Sequence, residues 1–193
     1  MPIIGIIGRR RVGKDTLADY INKNYEYKIK KFAQPMKDAL KCLFDLTDQQ
    51  LEGPEKDEID IRWGVSPRKM MQFIGTEVLQ FKLQELIPDI ETKFAVKRMF
   101  IDNNSEDKIV ISDVRFEHEV VELRKRGALL IKIVRNIEFT DSDNHISESG
   151  IDNLYADIVI HNNGTLNELF DQVKEITLCP LYKFMFLTDD LLN

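Results

Sequence analysis

The sequence predicts an α/β fold with a mainly parallel sheet, and two observations carry that expectation. Strand-like apolar runs alternate with amphipathic stretches along most of the chain, the pattern left by helical crossovers between parallel strands. Near the amino end an apolar run, a glycine-bounded loop and an amphipathic stretch follow one another, the order in which a phosphate-binding loop is built.

The first strand candidate is Pro2–Ile7. It leads into Gly8-Arg9-Arg10-Arg11-Val12-Gly13-Lys14-Asp15-Thr16 and then into Leu17-Ala18-Asp19-Tyr20-Ile21. Gly8 and Gly13 let the backbone curl, so that successive N–H groups point at phosphate oxygens. The helix starting near Gly13 adds the positive end of its dipole, and Lys14 reaches the β- and γ-phosphates. The residue after this lysine is usually Ser or Thr, whose hydroxyl binds Mg²⁺. Here it is Asp15, followed by Thr16. A carboxylate is also a hard oxygen ligand, but it adds negative charge beside the phosphates. Arg9, Arg10 and Arg11 can offset that charge or form a solvated basic loop. At least one is expected to act directly, with Arg11 as the candidate.

Lys28–Phe32 is the second strand candidate. From Gln34 to about Asn104 the chain reads as a helical insert. Within it Ser66-Pro67 is an N-cap followed by proline at the first helical position. An α-helix starting there puts Met70, Ile74, Val78 and Phe81 on one face, the expected core. Arg68, Gln72, Gly75 and Thr76 fall on roughly the opposite face. That polar row either converges on a second ligand or is a solvated surface.

Lys108-Ile109-Val110-Ile111-Ser112-Asp113 is an apolar strand ending in a carboxylate, the shape of a Walker-B element whose Asp holds Mg²⁺ or its waters. Asp113 should therefore lie beyond the carboxyl ends of the strands, where open α/β sheets bind ligands. Arg115 follows two residues later. Phe116–Arg126 reads as a helix closed by Gly127. Arg135 ends the next strand, Ala128–Arg135, where a cation can stabilise a transferring phosphoryl group; a salt bridge is the alternative for either arginine. Asn136–Ala156 is polar and long enough for a lid or binding loop, and it contains Asp141, Asp143, His145, Ser147 and Glu148. Asp157–His161 is the fifth strand candidate. Asn162-Asn163-Gly164-Thr165 is either a plain turn or the border of a nucleotide base. Thr165 and Glu168 form a capping box for the last long helix, to about Ile176.

Composition narrows the function class. The 193 residues are 43% hydrophobic and 31% charged, as in a single globular domain. A formal charge of −6 argues against general nucleic-acid binding. Cys42 and Cys179 have no metal-ligand spacing and are expected reduced in or near apolar packing, as in a cytoplasmic protein. Met1 runs straight into the first strand, so no signal peptide is expected, and no apolar run approaches membrane-spanning length. Leu181-Tyr182-Lys183-Phe184-Met185-Phe186-Leu187 is apolar enough to make a homodimer contact, although packing on the chain's own core is favoured.

Taken in order, the motifs resemble those of the deoxynucleoside monophosphate kinases of bacteriophages and related viruses. The matching pieces are Gly13-Lys14-Asp15-Thr16, Ser66-Pro67-Arg68-Lys69 with Gln72 and Gly75-Thr76, and Asp113-Val114-Arg115-Phe116-Glu117. Arg135, His145-Ile146-Ser147-Glu148, and Asp157-Ile158-Val159-Ile160 running into Asn162–Thr165 complete the set. Asp15 after the lysine is in keeping with this family. The resemblance implies a P-loop three-layer α/β/α fold, with a mainly parallel five-stranded sheet and a helical acceptor-binding insert. It also implies transfer of the ATP γ-phosphoryl group to a deoxynucleoside monophosphate, in the host cytoplasm if the source is viral. By the same resemblance Gly13, Lys14, Asp15 and Thr16 hold ATP phosphates and Mg²⁺; Arg11 of the basic loop is the further phosphate candidate, and Asp113 of the Walker-B strand the further metal candidate beside Asp15. Asn162, Gly164 and Thr165 border adenine. Trp63, Arg68, Gln72, Thr76 and Arg115 hold the acceptor, and Lys14, Asp113, Arg115 and Arg135 act on the transferring group.

Two other readings stay open. Phosphomevalonate and dephospho-coenzyme A kinases also join a phosphate loop to a compact α/β core. A non-catalytic nucleotide-binding regulator is the second, although the sequence has no Asn-Lys-x-Asp guanine-reading motif and retains both Lys14 and Asp113.

Overall fold

Five parallel strands, β1 (Ile3–Ile7), β2 (Lys28–Lys30), β3 (Ile109–Val114), β4 (Leu129–Val134) and β5 (Ile158–His161), pair in the order β2-β3-β1-β4-β5. This is a computed structural model that describes residues 2–90, 93–101, 108–137, 150–179, 181, 182 and 185. β1 takes the central position because it can be covered on both faces, and all five of its residues are buried. On one face Ile4 and Ile6 pack with Leu17, Ala18 and Ile21 of α1 (Lys14–Tyr25) and with Leu169, Val173 and Ile176 of the last helix. On the other face a side chain at Gly5 would lie 3.1 Å from Leu123, which belongs to the helix Glu117–Lys125. Helices on both faces of one sheet give the three-layer α/β/α arrangement.

The chain divides into two compact units, Met1–Lys31 with Asn104–Asn193, and Phe32–Asn103. The first holds the sheet. Met185 packs into that unit's core, and its carbonyl accepts the hydroxyl hydrogen bond of buried Tyr27. Leu181 is exposed.

The second unit is built from α2 (Gln34–Phe44), α3 (Asp48–Leu51), α4 (Pro67–Gln72), α5 (Leu83–Leu86) and α6 (Phe94–Phe100). Its core gathers Leu40, Leu46, Leu51 and Met70, with Met36, Phe44, Met71 and Ile74 against them. Ser66 caps α4 as expected, its hydroxyl accepting from the Lys69 N–H. Between α4 and α5, however, Phe73–Lys82 is a π-helix, whose wider turn changes which side chains share a face. Thr76 and Gln80 are therefore turned inward, at 4% and 9% exposure, whereas Phe81, expected in the core, is 38% exposed. Cys42 also departs from expectation: it is exposed on α2, two residues and roughly 200° around the helix from buried Leu40. Both cysteines are free.

Among the described residues, the remaining α-helices of the first unit are α7 (Glu117–Lys125) and α8 (Leu166–Leu178). Of the expected lid, 138–149 lies outside the described residues, and with it Asp141, Asp143, His145, Ser147 and Glu148. No described helix is long and apolar enough to cross a membrane.

Candidate active site at the carboxyl edge of the sheet

Parallel strands all finish at the same edge, and here that edge gathers charge. β1 runs into Gly8–Gly13, β2 into Lys31, β3 into Arg115, β4 into Arg135 and β5 into Asn162. The loop after β1 owes its shape to three positions. Arg11 and Gly13 adopt left-handed φ values of 63° and 105°, and Val12 between them is buried in the core. At Gly13 the backbone is also tight, because an added Cβ would lie 2.6 Å from the Asn162 amide nitrogen. That amide donates to the Val12 carbonyl at 2.8 Å. Lys14, largely buried, donates through Nζ to the Arg9 carbonyl at 2.7 Å, which holds its ammonium against the loop backbone.

Arg9 and Arg11 differ in placement. Arg9 forms a two-pronged ion pair with Asp152, its Nε donating at 3.1 Å, and Lys132 donates to the Asp152 carbonyl. Arg9 thus ties the loop to the turn Ile151–Asn153. Arg11 is exposed.

Asp15 opens α1, where the helix dipole favours a carboxylate. Its Oδ1 accepts from the Ser112 hydroxyl at 3.1 Å and lies 3.1 Å from the Lys31 ammonium. Partial desolvation pushes the Asp15 carboxyl up. The Lys31 charge, the hydrogen bonds from Lys31 and Ser112 and the charge of Lys14 together outweigh it and hold the group below the usual carboxylate range. Ser112 reaches Asp15 beside an irregularity in β3. Gly5 pairs with Ile111 and Ile7 with Val114, so Ser112 and Asp113 together face the single residue Ile6. Such a bulge re-aims side chains. Strand β3 continues one residue past its expected end at Asp113, so Asp113 lies within it, half-buried, rather than beyond its carboxyl end.

Arg115 leaves β3 half-buried, its backbone fixed by Glu119 of α7. Glu119 Oε2 accepts from the Arg115 N–H at 2.7 Å and the Phe116 N–H at 3.0 Å. Burial pushes the Glu119 carboxyl up to about 8, and the nearby Asp113 charge works in the same direction against those two hydrogen bonds. Arg135 is exposed at the end of β4, and the next residue, Asn136, donates its N–H to Asn163 Oδ1 at 2.7 Å. Thr16 is half-buried in the first turn of α1. Gly164 and Thr165 belong to the cap of α8: the Glu168 carboxylate accepts from the Thr165 N–H and hydroxyl. A Cβ at Gly164 would collide with that carboxylate.

In the second unit, Arg68 forms a two-pronged ion pair with Asp57, its Nη2 donating at 3.1 Å. Trp63 donates through Nε1 to the Phe44 carbonyl at 3.0 Å and sets its ring edge-on to Phe44. Gln72 is half-buried on α4.

Sequence reasoning missed Lys31, Ser112 and Glu119. A lone hydroxyl directly after the apolar run Ile109–Ile111 is the one local signal that pointed to Ser112. Among the described residues, no group of three or more His, Cys, Asp or Glu side chains could hold a metal ion.

A parallel three-layer sheet with a left-handed glycine loop, a helix-opening Lys-Asp pair and arginines at the strand ends defines a P-loop phosphotransferase. A family model described as deoxynucleotide monophosphate kinase matches residues 2–61 and 51–173. The chain belongs to that family. A relative from Acanthamoeba polyphaga mimivirus, assigned the same activity, is 36% identical over 183 residues, covering 90% of this chain and 94% of the relative. The deoxynucleotide monophosphate kinase of Enterobacteria phage T4 is 28% identical, covering 90% and 98%. Among solved structures, a dephospho-CoA kinase from Campylobacter jejuni aligns with a TM-score of 0.43 at 17% identity, over 91% of this chain and 98% of that one.

Proposed function

We propose that this enzyme transfers the γ-phosphoryl group of ATP to the 5′-phosphate of a deoxynucleoside monophosphate, releasing ADP and a deoxynucleoside diphosphate. What supports the reading is membership of this family together with one sheet edge, at which Lys14 and Asp15 follow β1, Arg115 follows β3 and Arg135 follows β4. Two anionic substrates must come together there, and cations at that edge relieve their repulsion.

The residues fit both nucleotide and metal. Glycine is what permits the left-handed backbone at Gly13 beside Asn162, and a loop of this kind turns successive N–H groups toward phosphate oxygens. Asp15, ionised through its lowered pKa, and the Ser112 hydroxyl beside it are hard oxygen donors, with Asp113 on the same strand end. Mg²⁺ is commonly held by one or two carboxylates, with phosphates and waters completing the shell. When bound, it supplies charge neutralisation across the β- and γ-phosphate oxygens.

An ionised oxygen of the acceptor phosphate attacks the γ-phosphorus while its bond to the β,γ-bridging oxygen breaks, leaving the electron pair on ADP. No protein nucleophile is required, and catalysis rests on positioning and electrostatics. Lys14 follows the β- and γ-phosphates, exchanging the Arg9 carbonyl for a phosphate oxygen. Arg115 and Arg135 hold the acceptor phosphate and the transferring group. In the second unit Arg68 exchanges Asp57 for the acceptor, with Gln72 and Trp63 of that unit as further contacts; Thr76, turned inward at 4% exposure, is not presented to it.

The test is product formation from ATP and Mg²⁺ with each common deoxynucleoside and ribonucleoside monophosphate, alongside dephospho-coenzyme A and phosphomevalonate. Deoxynucleoside diphosphates are the expected products. Turnover of only a non-nucleotide acceptor, or ATP hydrolysis alone, refutes the proposal.

A further inference from the structure

We propose that Asn162 is a positioning residue of the phosphate loop, its effect falling on triphosphate rather than on adenine. The inference rests on the nucleotide-binding reading above and assigns this side chain a mechanical role within it.

The geometry starts from the sheet. Asn162 follows β5 directly, and its N–H donates to the Val134 carbonyl at 2.9 Å, one rung beyond the β4–β5 ladder. Asn163 holds the same turn from the other side by accepting from the Asn136 N–H. Asn162 is thus braced against the sheet, and its side chain reaches away from it. Asn162 is only 7% exposed, and its side-chain amide donates to the Val12 carbonyl across 150 residues of sequence.

Val12 lies between the left-handed Arg11 and Gly13, in backbone outside both β1 and α1. Its carbonyl shares a trans peptide plane with the Gly13 N–H. The two groups of a planar trans peptide point in opposite directions. Pinning the Val12 oxygen toward Asn162 therefore aims the Gly13 N–H away from it, and the next N–H, that of Lys14, begins α1. The contact is exclusive, because a Cβ at Gly13 would strike the same amide. Asn162 and Gly13 form one fitted pair. Without the amide donor, the Val12 carbonyl loses its partner and the plane is free to turn.

A probe without a base separates the two roles open to Asn162. Calorimetry in Mg²⁺ compares inorganic tripolyphosphate with ATP on the wild type, Asn162→Ala and Asn162→Asp, whose oxygen faces the Val12 carbonyl. Loss of one buried hydrogen bond corresponds to about a tenfold change. Both variants are expected to lose affinity for tripolyphosphate and ATP by the same factor, about tenfold, with KM for the acceptor unchanged. Weakened ATP binding with unchanged tripolyphosphate binding makes Asn162 an adenine contact and overturns the inference. A lowered Tm with both affinities unchanged makes it merely structural, and overturns it too. If Asn162→Ala does not fold, Asn162→Ser carries the same comparison. A wild type that takes up neither probe refutes the nucleotide reading instead, so the two failures are distinguishable.

Discussion

Replacing Gly13 with alanine tests the phosphate loop at its tightest point. Two costs are readable from the structure. The φ of 105° lies outside the comfortable range of L residues, and forcing a side chain into left-handed backbone costs about 1–2 kcal/mol. The new Cβ would also lie 2.6 Å from the Asn162 amide, which must move and release the Val12 carbonyl; a buried hydrogen bond lost this way costs about 1–3 kcal/mol. Gly13→Ala is therefore expected to destabilise the chain by about 2–5 kcal/mol. Gly127→Ala isolates the first cost, because Gly127 has a φ of 72° and nothing within 4 Å of an added Cβ. It should lose only about 1–2 kcal/mol. Urea unfolding of the two variants, compared at equal m-values, measures the difference. Calorimetry with ATP should then show weakened binding for Gly13→Ala alone. Equal destabilisation by the two substitutions, with equal nucleotide affinity, would refute the fitted contact between Gly13 and Asn162.

Two further predictions concern charge. Glu119, raised from 4.5 to about 8 by burial, keeps a proton in the folded chain that the unfolded chain loses between those values. Stability should therefore fall as pH rises through that window, by roughly 1 kcal/mol per unit. Glu119→Gln should remove the slope in urea midpoints measured from pH 5 to 8, and an unchanged slope contradicts this. Arg68→Ala removes a charge-assisted contact to the acceptor and leaves behind only a half-exposed Asp57. KM for the deoxynucleotide should rise about tenfold or more with stability little changed; steady-state kinetics showing the same KM would exclude Arg68 from the acceptor site.

What was legible in the sequence was local. The run Gly8–Thr16 declares its loop because glycine spacing, the lysine and the helix start are neighbours, and the apolar density of β1, β3 and β4 declares buried parallel strands. The partners of Asp15 were not legible. Ser112 lies 97 residues away and meets it beside a bulge that no local pattern announces. The strand-end reading placed weight on Asp113, whereas the direct contact with Asp15 is made by its neighbour. The face of the helix after Ser66 was misread for a similar reason. Helical spacing of 3.6 places Thr76 outside and Phe81 inside, and the π-helical stretch Phe73–Lys82 alters that phase. Asn162 read as a turn residue because its role comes from a tertiary contact with Val12.

The central claim is that Lys14 and its loop grip a triphosphate and deliver its terminal phosphoryl group to a nucleotide. The direct test is a single-turnover reaction with γ-labelled ATP, Mg²⁺ and a deoxynucleoside monophosphate, run with the wild type and with folded Lys14→Ala. Label should pass into deoxynucleoside diphosphate with the wild type, and the variant should be slower by at least about a hundredfold. Near-normal transfer by Lys14→Ala, or label released only as inorganic phosphate by the wild type, would contradict the account.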